Sequence, residues 1–235
     1  MNTQPASGLA ITSLSFAALS GAAFGQTVVL QNGTATFSQS FDRSYSPAES
    51  IDGLNGALNG WAIYSPSAGT SAQTAVWETA SDVTTSALKI RMQFNHGTQH
   101  LLGKLRFSVT NDDRSLFADG LANGGDVTAN WTPMGVASVT VPGGMGVSVS
   151  GETVLLLGTA PVSGAYDFTF VPGVSAVTGI RLEALEEASL PTDGPGLQPT
   201  NGNFVLTELN VEAVPEPATF AVLALGAAML VRRKK

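Results

Sequence analysis

The chain has two histidines, His96 and His100, four residues apart. On a helix that spacing puts both rings on one face, where they could hold a metal as in H-E-x-x-H. Here Gly97 stands where that motif has Glu, and Asn95-His96-Gly97-Thr98 reads by composition as a hairpin turn between two strands. A catalytic zinc is not expected. His96 reads as a turn residue and His100 as a sheet residue, or one of them, His100 being the candidate, as part of a sugar-binding surface. No G-x-S-x-G elbow marks a nucleophile. Asp112-Asp113 and Glu186-Glu187 are adjacent acids. Neighbours on a strand point to opposite faces, so solvated turns account for them better than a glycosidase pair. Gly143-Gly144-Met145-Gly146 precedes no helix that could bind phosphate, and reads as a turn. No catalytic residue is assigned.

Two other groups could bind. The loop from Asp52 to Asn59 offers oxygen from Asp52, Asn55 and Asn59 with two glycines between them. Hard cations take oxygen ligands from such turns, so a structural calcium is one reading. An Asp-Gly turn capping its own backbone is the other. Trp61, Tyr64 and Trp77 are candidate sugar platforms, because pyranose faces stack on aromatic rings. Trp61 and Trp77 read equally as core. Arg106 and Arg181 lie on polar strand faces, able to bond hydroxyls or simply to be solvated.

These residues sit among short alternating segments. Strands are expected over 27–30, 35–37, 75–79, 87–94, 100–110, 137–141, 147–149, 153–157, 165–171, 179–185 and 204–211. Leu88 to Phe94 alternates apolar and polar residues, as do Leu105, Phe107 and Val109 against Lys104, Arg106 and Ser108. One buried face per strand, and no sustained helical stripe between the two ends, argue an all-β, two-sheet jelly-roll β-sandwich. With 26 glycines, 12 prolines and only 12% charged residues, turns rather than charges space the strands. No cysteine is present, which removes disulfides, thiolate metal sites and thiol nucleophiles. The 26–213 stretch holds 7 basic and 17 acidic residues, a net of −10. Nucleic acid and anionic membrane surfaces are unsuitable partners for it.

Both ends read as addresses. Leu9 to Ala23 is uncharged, apolar and small, and ends in Ala23-Phe24-Gly25. That is a signal-peptide helix over 1–25, cut by signal peptidase between Gly25 and Gln26. No Lys or Arg precedes the run. At the other end, Pro215-Glu216-Pro217 is followed by apolar residues 218–231 and then Arg232, Arg233, Lys234 and Lys235. As a helix the apolar stretch reaches only about 21 Å, short of a span of roughly 30 Å. The basic cluster would stay cytoplasmic. This suits a transient inner-membrane contact.

The order of motif, apolar segment and basic cluster over 214–235 resembles the PEP-CTERM sorting signal. The resemblance implies processing by an exosortase and delivery to the cell surface or an extracellular polysaccharide matrix. The intervening domain resembles the galactose-binding-like clan of discoidin and carbohydrate-binding sandwiches. The segments that carry this are Ser46 to Gly53 with Gly60-Trp61-Ala62, Asn95 to Thr110, and Thr178 to Leu185 with 194–196 and 201–206. In related modules a calcium binds at the loop matching Asp52–Asn59, with an acid from the last strand; the resemblance makes that acid Glu208. This loop has a single carboxylate where tighter sites have more. The expected protein is a noncatalytic surface or matrix component binding carbohydrate or another envelope component. A purely structural or adhesive matrix protein, and an exopolysaccharide hydrolase, are the alternatives.

Overall fold

A computed structural model describes residues 25–214. Both expected terminal helices, with the cleavage site at Gln26 bordering one and the whole sorting motif in the other, lie largely or wholly outside these residues.

Among the described residues fourteen strands form in chain order: β1 Gln26–Val28, β2 Leu30–Ala35, β3 Trp61–Ala62, β4 Gln73–Val83, β5 Ala87–Phe94, β6 Lys104–Thr110 and β7 Thr132–Pro133. The rest are β8 Gly135–Thr140, β9 Met145–Ser150, β10 Thr153–Gly158, β11 Gly164–Val171, β12 Val177–Ala184, β13 Val205–Leu206 and β14 Glu208–Val214. One sheet has the order β1-β14-β5-β11-β8. The second runs β2-β4-β12-β6-β10-β9, with β7 added beside β6. A short third ladder joins β13 to β3. Every pairing is antiparallel.

The alternation read from sequence is what builds the core. Leu88, Ile90, Met92 and Phe94 of β5 and Tyr166, Phe168 and Phe170 of β11 are all buried. They face Leu105, Phe107 and Val109 of β6 and Ile180 and Leu182 of β12. Phe107 meets Phe168 and Phe170 edge-on, at 6.4 and 5.3 Å between centroids. Each such side chain stabilises the fold by about 1.5–3 kcal/mol. Alternate residues on one face of each strand therefore clamp the two sheets into a β-sandwich.

One local expectation fails. Residues 95–98 do not close a hairpin, because β5 pairs with β14 and β11 while β6 pairs with β12 and β10. The connection arches from one sheet to the other. Thr98 and Gln99 take positive φ there, and Leu101 and Leu102 are buried beneath the arch. The outer face of the larger sheet is partly covered by residues 111–134. Phe117 packs on Val76 in that cover. Gly179 is what admits it, since a Cβ there would stand 2.4 Å from the Phe117 ring.

Candidate functional site at one pole of the sandwich

The strand registers bring several loops to one end. β2 arrives there at Ala35, β5 at Phe94, and β14 departs from it at Glu208. Residues 36–60 and 95–103 therefore share this pole. Gly60, at φ +116°, lets the chain enter β3 against β13; a Cβ there would lie 2.1 Å from the Leu206 carbonyl.

Within the Asp52–Asn59 loop, the Asp52 carboxylate accepts from Leu54 N–H at 2.8 Å. Asn55 donates to Gln93 and accepts from the Thr207 hydroxyl. The Asn59 amide nitrogen lies 2.7 Å from the Glu49 carbonyl, 3.0 Å from Asp52 Oδ1 and 2.5 Å from the Leu54 carbonyl. An amide has two protons to give, so three oxygens compete for them. Glu208 is 5% exposed, and its Oε2 has no hydrogen-bond partner. Burial, with the Asp52 charge adding to it, pushes the Glu208 carboxyl above its ordinary range. Oxygens short of donors beside a buried carboxylate oxygen without a partner fit a hard cation. Among the described residues no three acids or histidines gather to share an ion. A cation here would draw on carbonyl oxygens besides Asp52 and Glu208.

Beside this loop lies an aromatic and imidazole chain. Tyr64 is half-buried and meets Phe41 edge-on at 5.8 Å, and Phe41 is 55% exposed. Arg43 sits 5.3 Å from the ring centre of buried Tyr45. Tyr45 meets His96 at 6.1 Å, and His96 meets His100 at 4.5 Å. His96 Nδ1 lies 2.6 Å from the Ala57 carbonyl, and His100 Nδ1 lies 2.9 Å from the Gly97 carbonyl. Each Nδ1–H donates to its carbonyl, leaving Nε2 as the acceptor in the neutral ring. Burial holds the His100 pKa below its ordinary value. Tyr64, His96 and His100 thus share one pole with Phe41 and Arg43, which the sequence reading did not single out.

The other expected platforms are placed elsewhere. Trp61 and Trp77 are completely buried, and their indole N–H groups donate to the Phe37 and Pro47 carbonyls. Neither ring face reaches solvent, so neither is a sugar platform. Arg106 lies on the outer face of the larger sheet in a two-point pair with Glu183, at 2.6 and 2.8 Å. The Glu183 hydrogen bond raises its pKa, and its donors are engaged. The adjacent acids are occupied too: Asp112 accepts from Asn130, Asp113 caps Ser115, and Glu187 pairs with Lys104. Trp131, which sequence reasoning passed over, is half-buried with Arg181 5.3 Å from its ring centre.

Comparison with known proteins decides the C-terminal segment. Residues 213–235 match the PEP-CTERM protein-sorting motif. The chain carries an exosortase sorting signal. That motif indicates export to the cell envelope. No curated protein matches the chain. Among solved structures, the sandwich is similar to family 32 carbohydrate-binding modules. One from Clostridium perfringens, in complex with GalNAc-β-1,3-galactose, is 17% identical with a TM-score of 0.47, covering 80% of this chain and 100% of that one. Another, from C. perfringens NanJ in complex with galactose, is 12% identical with a TM-score of 0.39, covering 80% and 99%. A truncated AlyQ with a family 32 module and alginate lyase domains is 16% identical, with a TM-score of 0.43, covering 84% of this chain and 35% of that one.

Proposed function

We propose that this sorted protein is a noncatalytic surface or matrix component whose sandwich binds carbohydrate through the loops of one pole. A structural calcium stiffens those loops. The observation that carries the binding reading is the Phe41–Tyr64 pair, an open aromatic surface on the same pole as His96 and His100. The calcium reading rests on the orphaned Glu208 oxygen. Asp52, Glu208 and the Glu49 and Leu54 carbonyls would hold the ion. Bound there, calcium would supply positive charge to the buried Glu208 oxygen and to the more exposed oxygens of Asp52, Glu49 and Leu54, and it would perform no chemistry on a ligand.

The test is a melting curve of the purified protein with calcium, with chelator, and with a panel of envelope polysaccharides. A calcium-dependent rise supports the cation, and a further rise with one glycan that Tyr64→Ala removes supports the pole. A flat response to every glycan would sink the binding reading. A second reading, a spacer or adhesion unit without a small ligand, is favoured by the internal duties of Trp61, Trp77 and Arg106. The flat response is what that reading expects.

A further inference from the structure

We infer that the outer face of the five-stranded sheet is a second binding site, taking a neutral polysaccharide segment laid across the strands. This rests on the reading that the module binds carbohydrate, but it places a ligand away from the loop pole. The face holds an open groove of about 580 Å³ lined from all five strands. Cross-strand registers set its side chains in rows. Thr169 of β11 pairs with Ser138 of β8 and Lys89 of β5, Lys89 with Glu212 of β14, and Glu212 with Thr27 of β1. The next row is Thr140, Asp167, Arg91 and Asn210. Five strands span four spacings, roughly 19 Å, enough for several linked sugars.

Two observations select the ligand class. First, these rows carry hydroxyls, carboxylates, an amide, a guanidinium and an ammonium, with no aromatic ring. The outward side chains can give and take hydrogen bonds but cannot stack. Second, much of this capacity is unspent. Thr27, Ser138, Thr140, Thr169, Lys89 and Glu212 make no side-chain hydrogen bond to another described residue. Lys89 and Glu212 face each other across β5 and β14 without forming an ion pair among the described residues. Arg91 and Asp167 do pair, at 2.9 Å. The two positive and two negative groups cancel, so the groove has no net attraction for a polyanion or a polycation. Carboxylates accept from neighbouring hydroxyls, and Lys and Arg donate to hydroxyl oxygens. A chain of neutral sugars supplies both.

Affinity electrophoresis of the purified protein tests this, in gels cast with dextran, galactomannan, xyloglucan or, as the anionic arm, alginate. At least one neutral polysaccharide should retard the protein. Lys89→Ala and Asp167→Asn should each weaken that retardation by roughly three- to tenfold, the worth of an exposed hydrogen bond or two, with unchanged melting temperature. Tyr64→Ala should leave the groove's share in place. Retardation lost in Tyr64→Ala alone would overturn the groove and leave the pole standing. Loss in the groove variants alone would uphold the groove and remove the pole. Stronger retardation by alginate would overturn the neutral class, and no retardation by any neutral polymer would overturn both sites.

Discussion

Glu208 is the residue most out of balance with its surroundings. Its folded-state pKa is raised by burial and by Asp52. A carboxyl with a raised folded pKa makes stability fall as pH climbs from the unfolded value, about 4.3, through the folded one, because the unfolded chain releases its proton first. In chelator, Glu208→Gln should therefore flatten the loss of stability as pH climbs above the unfolded value, read from denaturant midpoints at each pH. With calcium the order reverses. The native protein at a hundredfold excess over Kd gains about 2.7 kcal/mol, and Glu208→Gln gains far less. Trp61 and Trp77 give the contrasting case. Either changed to Ala should cost about 3–5 kcal/mol, whereas Tyr64→Ala should cost about 1 kcal/mol or less, both by urea titration. Residue type alone could not separate these rings. Trp61 is buried by Phe204 and Trp77, and Phe204 comes from the far end of the chain. Trp131 escaped notice for the same reason, because the Arg181 that packs on it is distant in sequence.

At the scale of elements, the alternation of Leu88 to Phe94 gave β5 its bounds without error. The 100–110 strand was read too long. Leu102 makes only an isolated bridge to Gly196, and the ladder proper begins at Lys104. Turn composition signals that the chain bends, not which sheet the next strand joins; pairing partners contributed from elsewhere in the chain decide that. The last expected strand, 204–211, divides for a related reason. Thr207 turns its hydroxyl to the Gln93 carbonyl and to Asn55, and the chain leaves the short β3–β13 ladder to enter the five-stranded sheet. Gly60 makes that junction possible. Gly60→Ala should force β3 from the Leu206 carbonyl and cost about 1–3 kcal/mol, seen as a lower melting temperature. Because the same junction positions Glu208, the calcium-dependent rise should shrink as well.

At the scale of the molecule, the ends of the described chain lie together. Gln26 pairs with Ala213, and Val214 pairs with Ala87, at the pole opposite the Asp52 loop. The sorting match begins at residue 213, inside β14. Pro215 is next in the sequence, and proline carries no N–H to donate to a ladder. Removing residues 215–235 should therefore leave the melting temperature unchanged while changing where the protein is found, as measured by fractionating surface, membrane and medium. The address was legible in the sequence because it depends on local order and composition. The proposed binding surfaces were legible only in part, since Phe41, Arg43 and the rows around Lys89 come together only once distant strands are in register.

The absence of a spacer between β14 and the motif sets how the protein would be presented. No residue separates Val214, the end of β14, from Pro215, the first residue of the motif. The strand rises roughly 20 Å from Val214 back to Glu208. The Asp52 loop and the Phe41–Tyr64 pair lie at the other end of that strand, so in a protein held by its motif they would be the part of the sandwich presented farthest from the point of capture.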